Sequence, residues 1–178
     1  MKDLLITISI FCFTIFSAFA DDKRPLPKVK HMIDTHIHLY DTTREKGVPW
    51  PPKEDKVLYK PHLPAEFKKA SEPTGLTGVV IVEASHRLED NQWVLDLVKD
   101  DKYFVALVGN IDPYRKDFTK QLKKLKKDPR LVGVRARNGG NQKQINYSDG
   151  KVIKSFRALA KHGLSIDILA NGGGIEVV

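Results

Sequence analysis

Cysteine is nearly absent from this chain. A single one, Cys12, occurs in 178 residues, and it lies inside the N-terminal apolar stretch. Everything after residue 20 lacks a thiol, which excludes disulfides, a cysteine nucleophile and a zinc–thiolate cluster, so stability must come from packing. Long hydrophobic runs are scarce as well. The longest, within "MKDLLITISIFCFTIFSAFA", runs from Leu4 to Phe16 and falls short of the roughly 20 apolar residues a membrane-spanning helix needs. Lys2, that run, and Ala18-Phe19-Ala20 before "DDKR" form the pattern of a secretory signal peptide. Residues 1–20 are therefore expected to be cleaved, and 21–178 to form one domain, secreted or periplasmic, with no stable membrane insertion. The alternative is an uncleaved N-terminal anchor. Phe11 before Cys12 does not suit a lipoprotein signal.

Acidic residues are also in deficit. Thirty Lys and Arg face 22 Asp and Glu, a formal net charge of +8. Such a balance suggests nucleic acid, but much of the excess lies in "TKQLKKLKKDPR" (119–130). There Phe118, Leu122 and Leu125 fall at helical spacing, and the lysines fill the other face. That is a solvated helix surface, so no nucleic acid is expected as a partner.

What the chain does contain is a recurrence of apolar, β-branched runs. Strands are expected at 29–34, 76–85, 103–111, 131–137 and 164–170. Amphipathic helices are expected at 88–101, 117–127 and 151–163, with Asp90 as N-cap of the first and Gly163 as C-cap of the last. The second and third strands are almost continuously apolar, as for strands covered on both faces. Strand–helix–strand repetition signals a parallel sheet. The stretch 41–75 differs: Pro-rich, with a short helix near 64–71, it reads as a functional loop. Two architectures remain open. One is an incomplete (β/α)8 barrel comprising about the first five βα units, since a full barrel needs about 250 residues. The other is a five-stranded open doubly wound sheet.

Within "IDTHIHLY" (33–40), His36 and His38 lie one residue apart at the carboxyl end of the first strand. Side chains alternate along a strand, so the two imidazoles share a face, and such a pair suits zinc or a similar divalent ion. Surface or core histidines are the plainer alternative. Other polar residues end the later strands: Glu83 and Ser85, Asn110 and Asp112, Arg135 and Arg137. An arginine there can clamp a substrate carboxylate. Trp50 in the loop is a candidate pocket wall, or simply packs on its neighbouring prolines. Gly172 to Gly174 read as a flexible loop rather than a phosphate cradle. His31, His62 and His162 are not expected in a site.

"IDTHIHLYD" resembles the amidohydrolase superfamily. With "VPWPP", "VVIVEAS" before "LEDNQWVLDLV", "LVGNIDP" and "DPRLVGVRAR", the chain is similar over about residues 30–171 to the amidohydrolase-related branch of sugar-lactone and pyrone-dicarboxylate lactonases. The resemblance implies a (β/α)8 barrel and hydrolysis of a lactone or a related ester or amide. It implies that this chain is the N-terminal portion, with a further histidine and the general-base aspartate expected from later strands. It points to Arg135 as the substrate clamp, beside Glu83 and Trp50. The fifth strand, "DILAN", lacks the histidine of strongly metal-dependent members. The implied cofactor is thus a divalent metal on His36 and His38, zinc first, or none. The expected function is an exported lactonase-like hydrolase. The alternatives are an inactive fragment or small-molecule binding module, and a metal-dependent decarboxylase of the same superfamily.

Overall fold

The computed structural model describes residues 29–136 and 145–169. The expected signal peptide at 1–20, Arg137 and Gly172 to Gly174 lie outside the described residues. Five strands are present: β1 Ile33–Ile37, β2 Gly78–Val82, β3 Phe104–Asn110, β4 Leu131–Ala136 and β5 Ser165–Ile168. The helices are α1 Pro64–Ser71 before β2, α2 Leu88–Leu97, α3 Phe118–Leu125 and α4 Gly150–Lys161. All strand pairs are parallel, in the order β1-β2-β3-β4-β5.

That order decides between the two architectures. A doubly wound sheet reverses direction at a switch point and carries helices on both faces. A strictly sequential order has no switch, and right-handed crossovers then put every helix on one face. The sheet is the curled first part of a (β/α)8 barrel, five units of eight.

Packing shows the same asymmetry. Phe104 is 1% exposed and Leu131 fully buried, both in the cluster shared with the helices. Val105 and Val132, skipped at the register shifts between β2 and β3 and between β3 and β4, are 42% and 40% exposed. Ile33 is 40% exposed, and Gly78 sits between it and Val105, its Cβ direction 3.0 Å from Ile33 Cδ1 and Val105 Cγ1. The exposed apolar residues thus gather at the amino ends of the strands, in Ile33, Val105 and Val132.

Local chemistry explains the helices. In α3, Phe118, Leu122 and Leu125 are buried while the lysines face outward, as their spacing requires. At the end of α4, Gly163 adopts φ +65°, Gly163 N–H donates to Ala160 O and Leu164 N–H to Leu159 O. This is a Schellman closure, which favours glycine because the left-handed region penalises a Cβ.

Two expectations require correction. The first strand begins at Ile33 rather than residue 29 and extends through His36, because Ile33 is the first residue in register with β2, opposite Gly78. Asp90 is not an N-cap. Arg87 holds that position without a side-chain cap, and Asp90 lies inside α2, where its carboxylate meets Arg44 at 2.9 Å.

Candidate active site

The carboxyl ends of the strands form one mouth, and β1 supplies its histidines. His36 lies in the strand and His38 just past its end, with ring centroids 5.0 Å apart and an interplanar angle of 81°. His38 Nδ1 lies 2.9 Å from Val82 O. A carbonyl only accepts, so the Nδ1 hydrogen donates. His36 Nε2 lies 3.4 Å from Arg135 Nη2. A guanidinium only donates, so this Nε2 accepts and its hydrogen sits on Nδ1. Each tautomer is assigned by its partner.

Arg135 is the centre of the group. Its side chain is 8% exposed. Nε lies 3.9 Å from Glu83 Oε1 at the end of β2, and Nη2 lies 3.5 Å from Asp167 Oδ2 on β5. Buried Nε makes no hydrogen bond. In a flat sheet β1 and β4 would stand roughly 14 Å apart, three strand spacings of about 4.8 Å. The 3.4 Å contact between their side chains records the curl of the sheet and the length of the arginine.

Trp50 belongs to a second layer. Its ring packs on His38 at 5.3 Å and on Tyr40 at 5.5 Å. The loop that carries it is closed by the antiparallel bridge between Tyr40 and His62 and fastened to α2. Arg87 donates to the carbonyls of Gly47 and Lys46. Arg44 pairs with Asp90 and stacks over Trp93 at 4.4 Å. Between loop and helix lies a cleft lined among others by Leu39, Val48, Ala84 and Trp93, which shares Trp50 and Glu83 with the mouth.

The remaining sequence candidates serve the frame. Asn91 of α2 accepts from Asn110 N–H at 2.7 Å and donates to Asn110 O at 2.8 Å. The Asn110 amide in turn donates to Ser85 O at 2.6 Å, fixing the turn beyond Glu83. Ser85 Oγ accepts from Arg87 N–H, and Asp112 caps its own turn through Tyr114 N–H. The structure thus brings His36, His38, Glu83, Arg135 and Trp50 into one neighbourhood. Sequence reading missed Asp167. The available signal was a carboxylate standing alone between Ile166 and Ile168 in an apolar strand.

A divalent ion fits this arrangement only in part. His36 presents an accepting Nε2, as metal-ligating imidazoles do. However, the guanidinium stands against His36 Nε2, and among the described residues no three His, Cys, Asp or Glu side chains converge closely enough to hold an ion. As arranged, these donors do not form a metal site.

An incomplete barrel with H-x-H ending its first strand defines an amidohydrolase-type protein, and comparison with known proteins agrees. The amidohydrolase family model matches residues 33–176, and the chain belongs to that family. It is 24% identical over 137 residues to the L-fucono-1,5-lactonase of Burkholderia ambifaria, a match covering 77% of this chain and 47% of that protein. Among solved structures it is similar to an amidohydrolase from Burkholderia multivorans with bound Zn. That match has a TM-score of 0.72 and 20% identity, covering 83% of this chain and 52% of the other. It is also similar to a probable 2-pyrone-4,6-dicarboxylic acid hydrolase from Acinetobacter baumannii with citric acid bound. There the TM-score is 0.57 and the identity 18%, over 76% and 48% of the two chains. The chain spans about half the length of the relatives it matches.

Proposed function

We propose that this chain is the N-terminal portion of an exported hydrolase that opens a lactone or related cyclic ester of a sugar acid or carboxylate. The observation that carries the reading is the convergence of Arg135 and His36 at 3.4 Å, at the strand ends where barrel enzymes build their sites, in a chain whose curated relative is a lactonase. Ring opening adds water to the acyl carbon. The ring C–O bond breaks, and the alkoxide leaves protonated as the hydroxyl of a hydroxy acid. Arg135 offers N–H donors to a substrate carboxylate or sugar oxygen, and His36 and His38 face the acyl group. The base that takes the proton from water is expected from strands beyond β5, and a lost general base costs about 10² to 10⁴ in rate. Export rests on the Ala18-Phe19-Ala20 pattern, and N-terminal sequencing of the exported protein should begin at Asp21.

The test joins this chain, by fusion or in trans, to the last three βα units of the Burkholderia ambifaria lactonase and follows hydrolysis of L-fucono-1,5-lactone. Turnover that disappears in both His36→Ala and Arg135→Gln supports the reading. Turnover indifferent to both substitutions overturns it. A binding module is the second reading, favoured by the cleft that Trp50 and Glu83 line. It would show lactone binding with no turnover in the joined protein.

A further inference from the structure

We infer that Asp167 sets the class of substrate at the mouth: a neutral lactone that carries hydroxyl groups, and not one that carries a free carboxylate. This rests on reading the mouth as the active site of a hydrolase, but its test measures binding and not turnover, so the two can fail separately.

Arg135 and Asp167 are direct partners in the register of β4 and β5, so their side chains leave the same face of the sheet. Asp167 Oδ2 lies 3.5 Å from Arg135 Nη2, and Glu83 Oε1, from the end of β2, lies 3.9 Å from Arg135 Nε. One guanidinium thus stands between two carboxylates, which leaves a negative charge in excess. The Arg135 and Glu83 side chains are 8% and 3% exposed, and charges so placed are poorly screened. A substrate carboxylate drawn to Arg135 would be a third anion at this one cation. Its attraction to the guanidinium would be offset by repulsion from Asp167 and Glu83, and like-charge juxtaposition is a means of rejecting a wrong ligand.

Hydrogen-bond chemistry points the same way. An ionised carboxylate only accepts, so it recognises a ligand that brings donors. The Asp167 side chain is 36% exposed, and its oxygens remain within reach of a ligand among the described residues. A sugar-acid lactone brings O–H donors for that carboxylate. It also brings neutral hydroxyl and ring oxygens for the guanidinium, whose Nη2 contacts of 3.4 and 3.5 Å are longer than the roughly 2.7–2.9 Å of a charge-assisted hydrogen bond. A lactone whose polar groups are carboxylates brings acceptors alone, and at Asp167 they meet an acceptor. Of the two partners open to Arg135, a substrate carboxylate or a sugar oxygen, Asp167 therefore selects the second. A site built to hydrogen-bond a hydroxyl discriminates strongly against an analogue that lacks it.

The experiment is ligand-observed NMR titration of the chain with three lactones. L-Galactono-1,4-lactone is neutral and hydroxylated, δ-valerolactone is neutral without hydroxyls, and 2-pyrone-4,6-dicarboxylate carries carboxylates and no hydroxyl. The hydroxylated lactone should bind at least tenfold more tightly than either of the others. Asp167→Asn keeps the shape of the side chain, removes one anion and adds donors, so it should narrow the gap to the dicarboxylate tenfold or more. The wild-type rank order stands as a test even where that variant does not fold. Four results overturn the proposal: the dicarboxylate binding as tightly as the hydroxylated lactone, δ-valerolactone doing so, no binding of the hydroxylated lactone, or an unchanged preference in a folded Asp167→Asn.

Discussion

The two faces of this sheet are made from the same strands, yet they behave as different materials. On the outer face Val79, Ile81, Leu107, Leu131 and Val134 are at most 1% exposed and share one core with the helices. The open apolar residues Ile33, Val105 and Val132 instead stand at the amino ends of their strands, the last two at register shifts. Apolar burial contributes about 25 cal/mol per Å², so the core shared with the helices carries stability to which these three residues add little. The inner face concentrates its chemistry at the strand ends, where Arg135 meets His36, Glu83 and Asp167. Structure built from one side thus presents reactive groups on the other.

The sharpest contrast is a pair of truncations. Leu107→Ala should cost about 2–5 kcal/mol, the transfer and cavity cost of a buried leucine. Val105→Ala, two residues earlier at the register shift with β2 and exposed, should cost less than about 1 kcal/mol. Urea denaturation of both variants checks this. Equal costs would show that Val105 is covered in solution.

A smaller contrast uses two glycines. At Gly109 a Cβ would lie 2.5 Å from Asn91 Oδ1, and that amide is fixed on both sides by Asn110. Gly109→Ala should therefore cost about 1–3 kcal/mol as overpacking. At Gly78 the neighbours are the ends of two exposed side chains, Ile33 and Val105, which can move aside. Gly78→Ala should change the urea midpoint only slightly.

The fastening of the loop comes next. Arg44→Met leaves the Asp90 carboxylate, whose side chain is 9% exposed, without its cation, and removes the stacking on Trp93. A loss of about 1–3 kcal/mol is expected for a mostly buried group left unpaired. Tryptophan fluorescence should change with it, because both Trp50 and Trp93 line the cleft. A variant with unchanged emission and stability would mean that Arg87 alone holds the loop.

The smallest effect is acidic. Hydrogen bonding from Lys68 lowers the Asp101 carboxyl, and Arg130 does the same for Asp128. The Arg115 guanidinium holds Asp117 at about 2. Each folded value lies below the unfolded one. The stabilisation is therefore complete above the unfolded pKa of about 4 and is lost as pH falls through the folded value. Urea midpoints should fall between pH 4 and 2, and Asp128→Asn should flatten that slope. Val105 takes part in none of these pairs, so Val105→Ala should leave the slope unchanged.

The sequence by itself determined the parts that depend on near neighbours. Alternation and apolar runs placed four of the strands within a few residues. The spacing of Phe118, Leu122 and Leu125 defined the buried stripe of α3, Gly163 marked the end of α4, and H-x-H announced a shared face for His36 and His38. These follow from contacts two to four residues apart, which any stretch of chain carries in its own order. The resemblance to amidohydrolases already implied the barrel, but the strand order and the curl of the sheet that exclude the open alternative came from the tertiary structure alone. It also decided that Asp90 serves Arg44 rather than a helix start, and that Asp167 joins the mouth. The reason is distance along the chain. His36 and Arg135 are 99 residues apart in sequence, and their meeting depends on three successive crossovers packing on one face. No local pattern encodes that sum.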